Sequence, residues 1–411
     1  MNKYWFYLKS SVYVEFKHQH IFLYDTSNGN YLEATSHDFI NLVEELYEDG
    51  NLGVILVDDM LLTIPAVKNY VEKILEKDMG SLINIEEMPV KPISLVPILS
   101  LKKDIDKLLS KEDALPYLHQ DLGKYLLELN IHLNSNCALS CPWCNKYDKQ
   151  FLCCSRDTSM PFLSLLSLKR IFEQIQYLPI STINILGGDI FQYEHLQSLD
   201  ELGKMSNKVL NVYCHYKHFS VYNFKGIRAI HLIIPFPVDV EKLQTVYAGL
   251  GGKCIFHFII ENKNHYMQVQ SIISAFRMNE DMIKIHPFYN GKNIDFFEDF
   301  IYLDKEDILC DKASMRDILR NKKLNINTFG GLHILPDGKV KGNLEANVIG
   351  NILNQNITEI IFNELKMNTA WRRVRTAKPC CDCIFQCFCP SPSNYERVIG
   401  RPNLCHVKSE K

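Results

Sequence analysis

Between residues 124 and 300 the sequence alternates strand-like and helix-like runs, and this period constrains the fold more than any other feature. Strands are predicted at 127–133, 181–186, 208–214, 228–234, 254–260 and 282–287, with helices near 163–177, 193–205, 238–249 and 264–277. Parallel neighbours need a long crossover rather than a tight turn, so this spacing predicts a parallel sheet covered by helices. In parallel barrels the chemistry collects at the carboxyl ends of the strands.

The first of these strands, apolar at Leu127, Leu129, Ile131 and Leu133, runs through Asn134-Ser135-Asn136 into three cysteines, Cys137, Cys141 and Cys144. Three thiolates spaced Cys-x3-Cys-x2-Cys can hold three irons of a cubane iron–sulfur cluster and leave the fourth iron without a protein ligand. A closed structural site would want a fourth ligand nearby. His132, on the strand, reads as a sheet residue. The competing readings are a zinc knuckle or a chance cluster of buried cysteines.

This loop resembles the radical S-adenosylmethionine (SAM) superfamily, whose open iron is chelated by the amino and carboxyl groups of the cofactor. The resemblance implies that Cys137, Cys141 and Cys144 hold a [4Fe-4S] cluster and that Trp143 lies next to the adenine. The second strand, Thr182–Leu186, runs into Gly187-Gly188-Asp189. Two glycines let the chain bend and let another group approach the backbone closely. The triplet resembles that family's Gly-Gly-Glu motif, with Asp in place of Glu, and implies that Gly187, Gly188 and Asp189 seat the methionine portion. At later strand ends, His215, Lys217, Glu261 and His286 are candidates to face the cavity.

The chain has 411 residues, 46% hydrophobic and 23% charged, with a formal net charge of −3. That is room for two or three domains, and it gives no electrostatic footprint for nucleic acid or an anionic membrane. No apolar run reaches the length of a membrane span, and residues 1–17 lack a signal peptide's apolar core. A cytoplasmic location is therefore expected. There, fourteen cysteines point to metal or redox chemistry rather than disulfides. Cys214 and Cys254 sit in apolar runs and read as core; the others gather in 137–154, at 310 and in 380–405.

Residues 1–90 read as a small separate unit. Runs at Tyr4–Leu8, Val12–Phe16 and Ile21–Tyr24 predict a meander, followed by a helix over His37–Tyr47, a strand at Val54–Val57 and a helix over Ile64–Glu76. This order resembles the winged-helix precursor-recognition domains of enzymes that modify ribosomally made peptides, where a leader adds a strand to an open sheet edge. A purely structural cap is the alternative. Residues 91–123, with Pro92, Pro97 and Pro116 around an amphipathic helix near Leu101–Leu109, read as a connector.

In the tail, residues 324–344 alternate and turn at Pro336-Asp337-Gly338, a hairpin, and a helix is expected over Ile357–Val374. Then come Cys380, Cys383, Cys389 and Cys405, spacings that make a metal site of zinc or iron–sulfur. The order of hairpin, helix and cysteines resembles the SPASM domain. By that resemblance these four hold one auxiliary [4Fe-4S] cluster. The first auxiliary cluster of that family is not expected, because Gly342-Asn343 and Ser393 stand where cysteines would be. Cys310, Cys381 and Cys387 are alternative ligands.

The fold expected is α/β: a partial (β/α)6 TIM-like barrel over 124–300, a small α+β winged-helix-like N-terminal domain and a cysteine-rich SPASM-like C-terminal domain over 301–411. The chain resembles radical SAM peptide maturases, including those of Bacteroidales gene systems. The resemblance implies an enzyme that cleaves SAM to a 5′-deoxyadenosyl radical and modifies a precursor peptide carrying a leader, with a thioether or carbon–carbon crosslink as product. It also implies flavodoxin or ferredoxin as electron donor, and neither nucleic acid nor membrane as partner. Alternatives are a sulfatase-type protein maturase, a small-molecule enzyme, a non-catalytic adaptor for the peptide and a zinc-stabilised interaction protein.

Overall fold

The structure, a computed structural model, describes residues 2–95, 122–139, 141–154, 162–219, 227–249 and 254–407. The helix expected near Leu101–Leu109 lies outside these.

The N-terminal strands β1 (Lys3–Leu8), β2 (Val12–Lys17), β3 (His20–Asp25) and β4 (Tyr31–Ala34) precede helix α1 (His37–Leu46), β5 (Val54–Asp58), α2 (Pro65–Glu76) and β6 (Gly80–Asn84). The expected meander needs correction. β2, β3 and β4 form one antiparallel sheet, whereas β1 is the centre of another, in the order β5-β1-β6. Phe6 and Leu8 of β1 are buried with Phe39, Val43, Val71 and Ile74 of the two helices. Reaching that core takes β1 away from β2 and leaves both its edges to strands that arise much later in the chain. β3 is buried on both faces: Ile21 and Leu23 enter the N-terminal core, while Phe22 and Tyr24 point the other way, into the tail.

From Glu128 the chain lays down β7 (Glu128–His132), β8 (Thr182–Leu186), β9 (Leu210–His215), β10 (Ile227–Pro235), β11 (Cys254–Ile260) and β12 (Ile283–Pro287). These six pair in sequence order and in parallel, as expected. A short helix, α3 (Cys144–Tyr147), follows β7. The helices α4 (Leu165–Ile175), α5 (Leu196–Met205), α6 (Val240–Gly249) and α7 (Lys263–Phe276) fall where the periodicity places them. Each strand sends its apolar residues outward, such as Leu129, Ile131, Ile183, Ile185, Val212 and Leu232. They meet Leu168, Phe172, Leu199, Leu243 and Val269 of those helices. Cys214 and Cys254 belong to this core. The sheet curls, because Asn130 of β7 and His286 of β12, five strands apart, line one cavity of about 420 Å³.

The inward positions are polar. Asn211 donates to Asn184 (3.0 Å), which donates to Asn130 (2.8 Å), a ladder across three strands. One level up, Tyr213 stacks on His231, which shares a 2.8 Å hydrogen bond with His257; His257 shares another, also 2.8 Å, with His286. His132 pairs with His333 at 3.3 Å. Above these, at the strands' carboxyl ends, the interior turns apolar at Leu186, Ile233, Ile259 and Phe288, packed against Tyr147, Cys153 and Cys154. The cysteine loop therefore sits on a dry floor.

Helices α8 (Ile294–Phe300), α9 (Lys305–Leu309) and α10 (Met315–Asn321) lead to the hairpin β13 (Gly331–Ile334) and β14 (Lys339–Lys341), which turns where expected, and to β15 (Val348–Asn351). β13 pairs in parallel with β7, so the tail extends the large sheet beyond its first strand. The next helix, α11 (Ile357–Met367), stops seven residues short of its expected end at Val374. Asn368 takes a left-handed conformation (φ 51°), and the chain folds back so that Ala370 and Trp371 donate backbone N–H groups to the buried Glu364 carboxylate (2.7 and 2.9 Å). The last helix is α12 (Asn394–Ile399).

Burial holds the interior histidines neutral: His132 is pushed down to about 4, His231 and His286 likewise to about 4, and His333 to about 3. In the unfolded chain each protonates near its ordinary 6.5. The unfolded state thus binds more protons below that value, and stability falls as the pH drops from 6.5 towards the folded values. The loss is on the order of 2 kcal/mol by pH 5 for each histidine that stays neutral. Urea midpoints at pH 7 and pH 5 check this; equal midpoints contradict a neutral histidine interior.

Candidate metal and cofactor site

The cysteine loop is fixed at its base by the turn that leaves β8. Leu133 donates its N–H to Leu186 O (2.8 Å), and Gly188 donates to both the backbone and side-chain oxygens of Asn134 (3.0 and 3.1 Å). Asn134 Nδ2 in turn donates to Asp189 O at 2.9 Å, and the Asp189 N–H donates to Asn136 O at 2.5 Å. A Cβ at Gly188 would lie 2.2 Å from Asn136 O, and one at Gly187 2.9 Å from Asn134 Oδ1. Only glycine admits that approach. The group brought against Gly187 and Gly188 is thus the segment that launches Cys137.

Cys137, Cys141 and Cys144 are all half-buried and lie close enough to one another that their charges interact. Burial, then the neighbouring sulfurs of Cys154, Cys141 and Cys137, push the Cys144 thiol up to about 12. Such a group of thiolates is stable only around a cation, which is the condition a metal centre meets. Cys141 lines a cavity of about 280 Å³ with Leu139, Pro142, His215, Tyr216, Lys217 and Pro235–Pro237, all at the carboxyl ends of β7, β9 and β10. His215 and Lys217 therefore face a cavity as expected. His286 faces the other one, while Glu261 accepts from Asn290 Nδ2 (2.7 Å). Trp143, half-buried, packs against Phe288 with Lys146 over its ring; neither it nor Gly187–Asp189 lines the 280 Å³ cavity.

One residue at this site was not singled out from the sequence. His218 lies three positions past the end of β9, with its Nε2 3.1 Å from Cys137 Sγ and its Nδ1 3.2 Å from Asp189 Oδ2. The run His215-Tyr216-Lys217-His218 at a strand end was the available signal. Cys153 and Cys154 are buried beside the loop, their sulfurs 3.8 Å apart.

In the tail, Cys380, Cys383, Cys389 and Cys405 line a single small cavity of about 30 Å³ with Arg375 and Gln386. Burial first, and then the charges of Cys383, Cys405 and Cys380, push the Cys389 thiol up to about 12, with Arg375 opposing. Arg375 is buried, paired with Glu396 at 2.8 Å, and its Nη1 lies 3.8 Å from Cys380 Sγ. The other three cysteines point elsewhere. Cys310 is exposed, Cys381 Sγ contacts Asp382, and Cys387 Sγ contacts Glu15 of β2. Where a first auxiliary cluster would need sulfur, Ser393 caps α12 through Glu396, Asn343 donates to Asn394 (2.8 Å), and Glu364 fills the space against Gly342. Among the described residues no three Cys, His, Asp or Glu side chains stand at the spacing of a single-ion site. No helix among them is long and apolar enough to cross a membrane.

No protein-family model matches the chain, and no curated protein does. Among solved structures it is similar to Streptococcus suis SuiB bound to precursor peptide SuiA, at 11% identity and a TM-score of 0.47, over 100% of this chain and 99% of that one. It is also similar to native anSMEcpe with bound AdoMet and Cp18Cys peptide, at 14% identity and a TM-score of 0.44, over 67% of this chain and 95% of that one. Methylornithine synthase (PylB) matches at 12% identity and a TM-score of 0.33, over 65% of this chain and 92% of that one. Likenesses this distant say nothing of chemistry, which rests on the residues of the site.

Proposed function

We propose that the chain is a radical SAM enzyme that modifies a ribosomally made precursor peptide. One observation carries this: Cys137, Cys141 and Cys144 gather at the carboxyl end of the first strand of a curled parallel sheet, beside a 280 Å³ cavity that Cys141 itself lines. Three thiolates fit a [4Fe-4S] cluster with one open iron. With a cluster and SAM held there, the site would supply one-electron reductive cleavage of the cofactor and hydrogen-atom abstraction from the substrate.

The protein's part is to bind, orient and exclude water. Gly187, Gly188 and Asp189 place the loop and seat the methionine end of the cofactor, and Trp143 flanks its adenine. Leu186, Ile233, Ile259 and Phe288 keep the floor beneath the loop dry. The four tail cysteines fit one auxiliary cluster, held beside the buried Arg375. The N-terminal unit, winged-helix-like in its order of strands and helices, binds the leader along a sheet edge, and the tail is SPASM-like with one auxiliary site rather than two. Reducing equivalents come from flavodoxin or ferredoxin in the cytoplasm.

Cys137→Ala, Cys141→Ala or Cys144→Ala abolishes 5′-deoxyadenosine formation by the dithionite-reduced protein, measured by liquid chromatography and mass spectrometry. Turnover surviving any one of these changes refutes the assignment. Anaerobically reconstituted protein holds about eight irons per chain, and Cys383→Ala lowers this to about four. Tightly held zinc in the tail, or about four irons in the unaltered protein, removes the auxiliary cluster from the account.

A further inference from the structure

We infer that His218 is a positioning residue for the metal centre of the cysteine loop, donating a hydrogen bond from Nε2 to the Cys137 sulfur while Asp189 holds the ring by Nδ1. This rests on the proposed cluster at Cys137, Cys141 and Cys144. Three separate segments converge to make the contact: the loop after β7, the turn after β8 and the turn after β9. The distances are 3.1 Å from Cys137 Sγ to His218 Nε2 and 3.2 Å from His218 Nδ1 to Asp189 Oδ2, with both side chains of the second pair about nine-tenths buried.

Neither partner is loose. The His218 backbone is held in a turn by its N–H donating to His215 O (2.9 Å). The Asp189 carboxylate is fixed at both oxygens, Oδ1 accepting from Phe191 N–H (3.1 Å) and Oδ2 from Gln192 Nε2 (3.0 Å). The Asp189 N–H also grips Asn136, the residue before Cys137. One residue thus sets both the sulfur and the ring that faces it.

A thiolate bound to metal has given up its proton. The hydrogen on the Cys137–His218 contact must then be the imidazole's; because the Asp189 carboxylate facing Nδ1 also only accepts, the ring that makes both contacts carries a proton on each nitrogen. A donor to a ligand sulfur stabilises the electron-rich reduced centre more than the oxidised one, so it raises the reduction potential. The loop rests on an apolar floor, where a hydrogen bond is electrostatically stronger than in water.

The test is a redox titration of the anaerobically reconstituted full chain, following the EPR signal that changes when SAM is added. The expected result for His218→Phe is a tenfold smaller reduced fraction at fixed ambient potential, a midpoint lower by about 59 mV for one electron. His218→Gln, which keeps an N–H donor, recovers part of the shift. An unchanged midpoint in His218→Phe at wild-type iron content overturns the inference. Should that variant fail to fold or load iron, pulsed EPR on wild-type protein with 15N-labelled histidine decides. A weak nitrogen coupling with an exchangeable proton supports the hydrogen bond; no coupling, or one the size of direct iron–nitrogen ligation, overturns it. A wild-type chain without any SAM-responsive signal overturns the proposed function and this inference together, whereas an unchanged midpoint overturns the inference alone.

Discussion

The site depends on one close approach of backbone to backbone, between residues 134–136 and the Gly187-Gly188-Asp189 turn. Gly188 donates its N–H to Asn134 and Asp189 donates its N–H to Asn136, and neither Gly187 nor Gly188 has room for a Cβ. Every cysteine of the loop lies beyond this clamp, so the positions of three sulfurs follow from two missing side chains. The glycines act first on the architecture of the loop. A seat for a ligand is built on that frame.

Beneath the clamp, the two faces of the parallel sheet serve opposite purposes. The outward face is apolar and pays for folding against the helices, at about 1.5–3 kcal/mol for each large side chain fully buried. The inward face carries asparagine and histidine, which would be costly if left unpaired. They are paired across strands, by the Asn130–Asn184–Asn211 ladder and the His231–His257–His286 chain. Because each partner comes from a neighbouring strand, this network ties strand register to side-chain chemistry. The apolar layer above it then forms the floor on which the cysteine loop rests.

The N-terminal unit and the tail are joined by side chains that neither could satisfy alone. Phe22 and Tyr24 of β3 stack edge-on against Phe385 and Phe388, at ring distances of 4.9–5.1 Å. Buried Glu15 is met by Tyr13, Lys17 and Lys322, and Lys17 reaches on to the Cys381 carbonyl and the Gln386 side chain. Gln386 also lines the four-thiol cavity. One side chain, Gln386, therefore stands between Lys17 of β2 and the four-thiol cavity.

The six parallel strands, most of the helices, the hairpin turn and the two sets of closely spaced cysteines are legible in the amino-acid order, because each is written in local period, spacing or turn chemistry. That β1 leaves the expected meander, that α11 ends at Met367 and that the tail hairpin adds to β7 follows instead from long-range packing. Those outcomes turn on partners far along the chain, such as β6 for β1 and the buried Glu364 carboxylate for the turn after α11. The same holds for His218, which stands 81 residues from Cys137 and 29 from Asp189. The strand-end run His215-Tyr216-Lys217-His218 puts this histidine near the site, but its partners are chosen by the curl of a sheet and not by its neighbours in sequence.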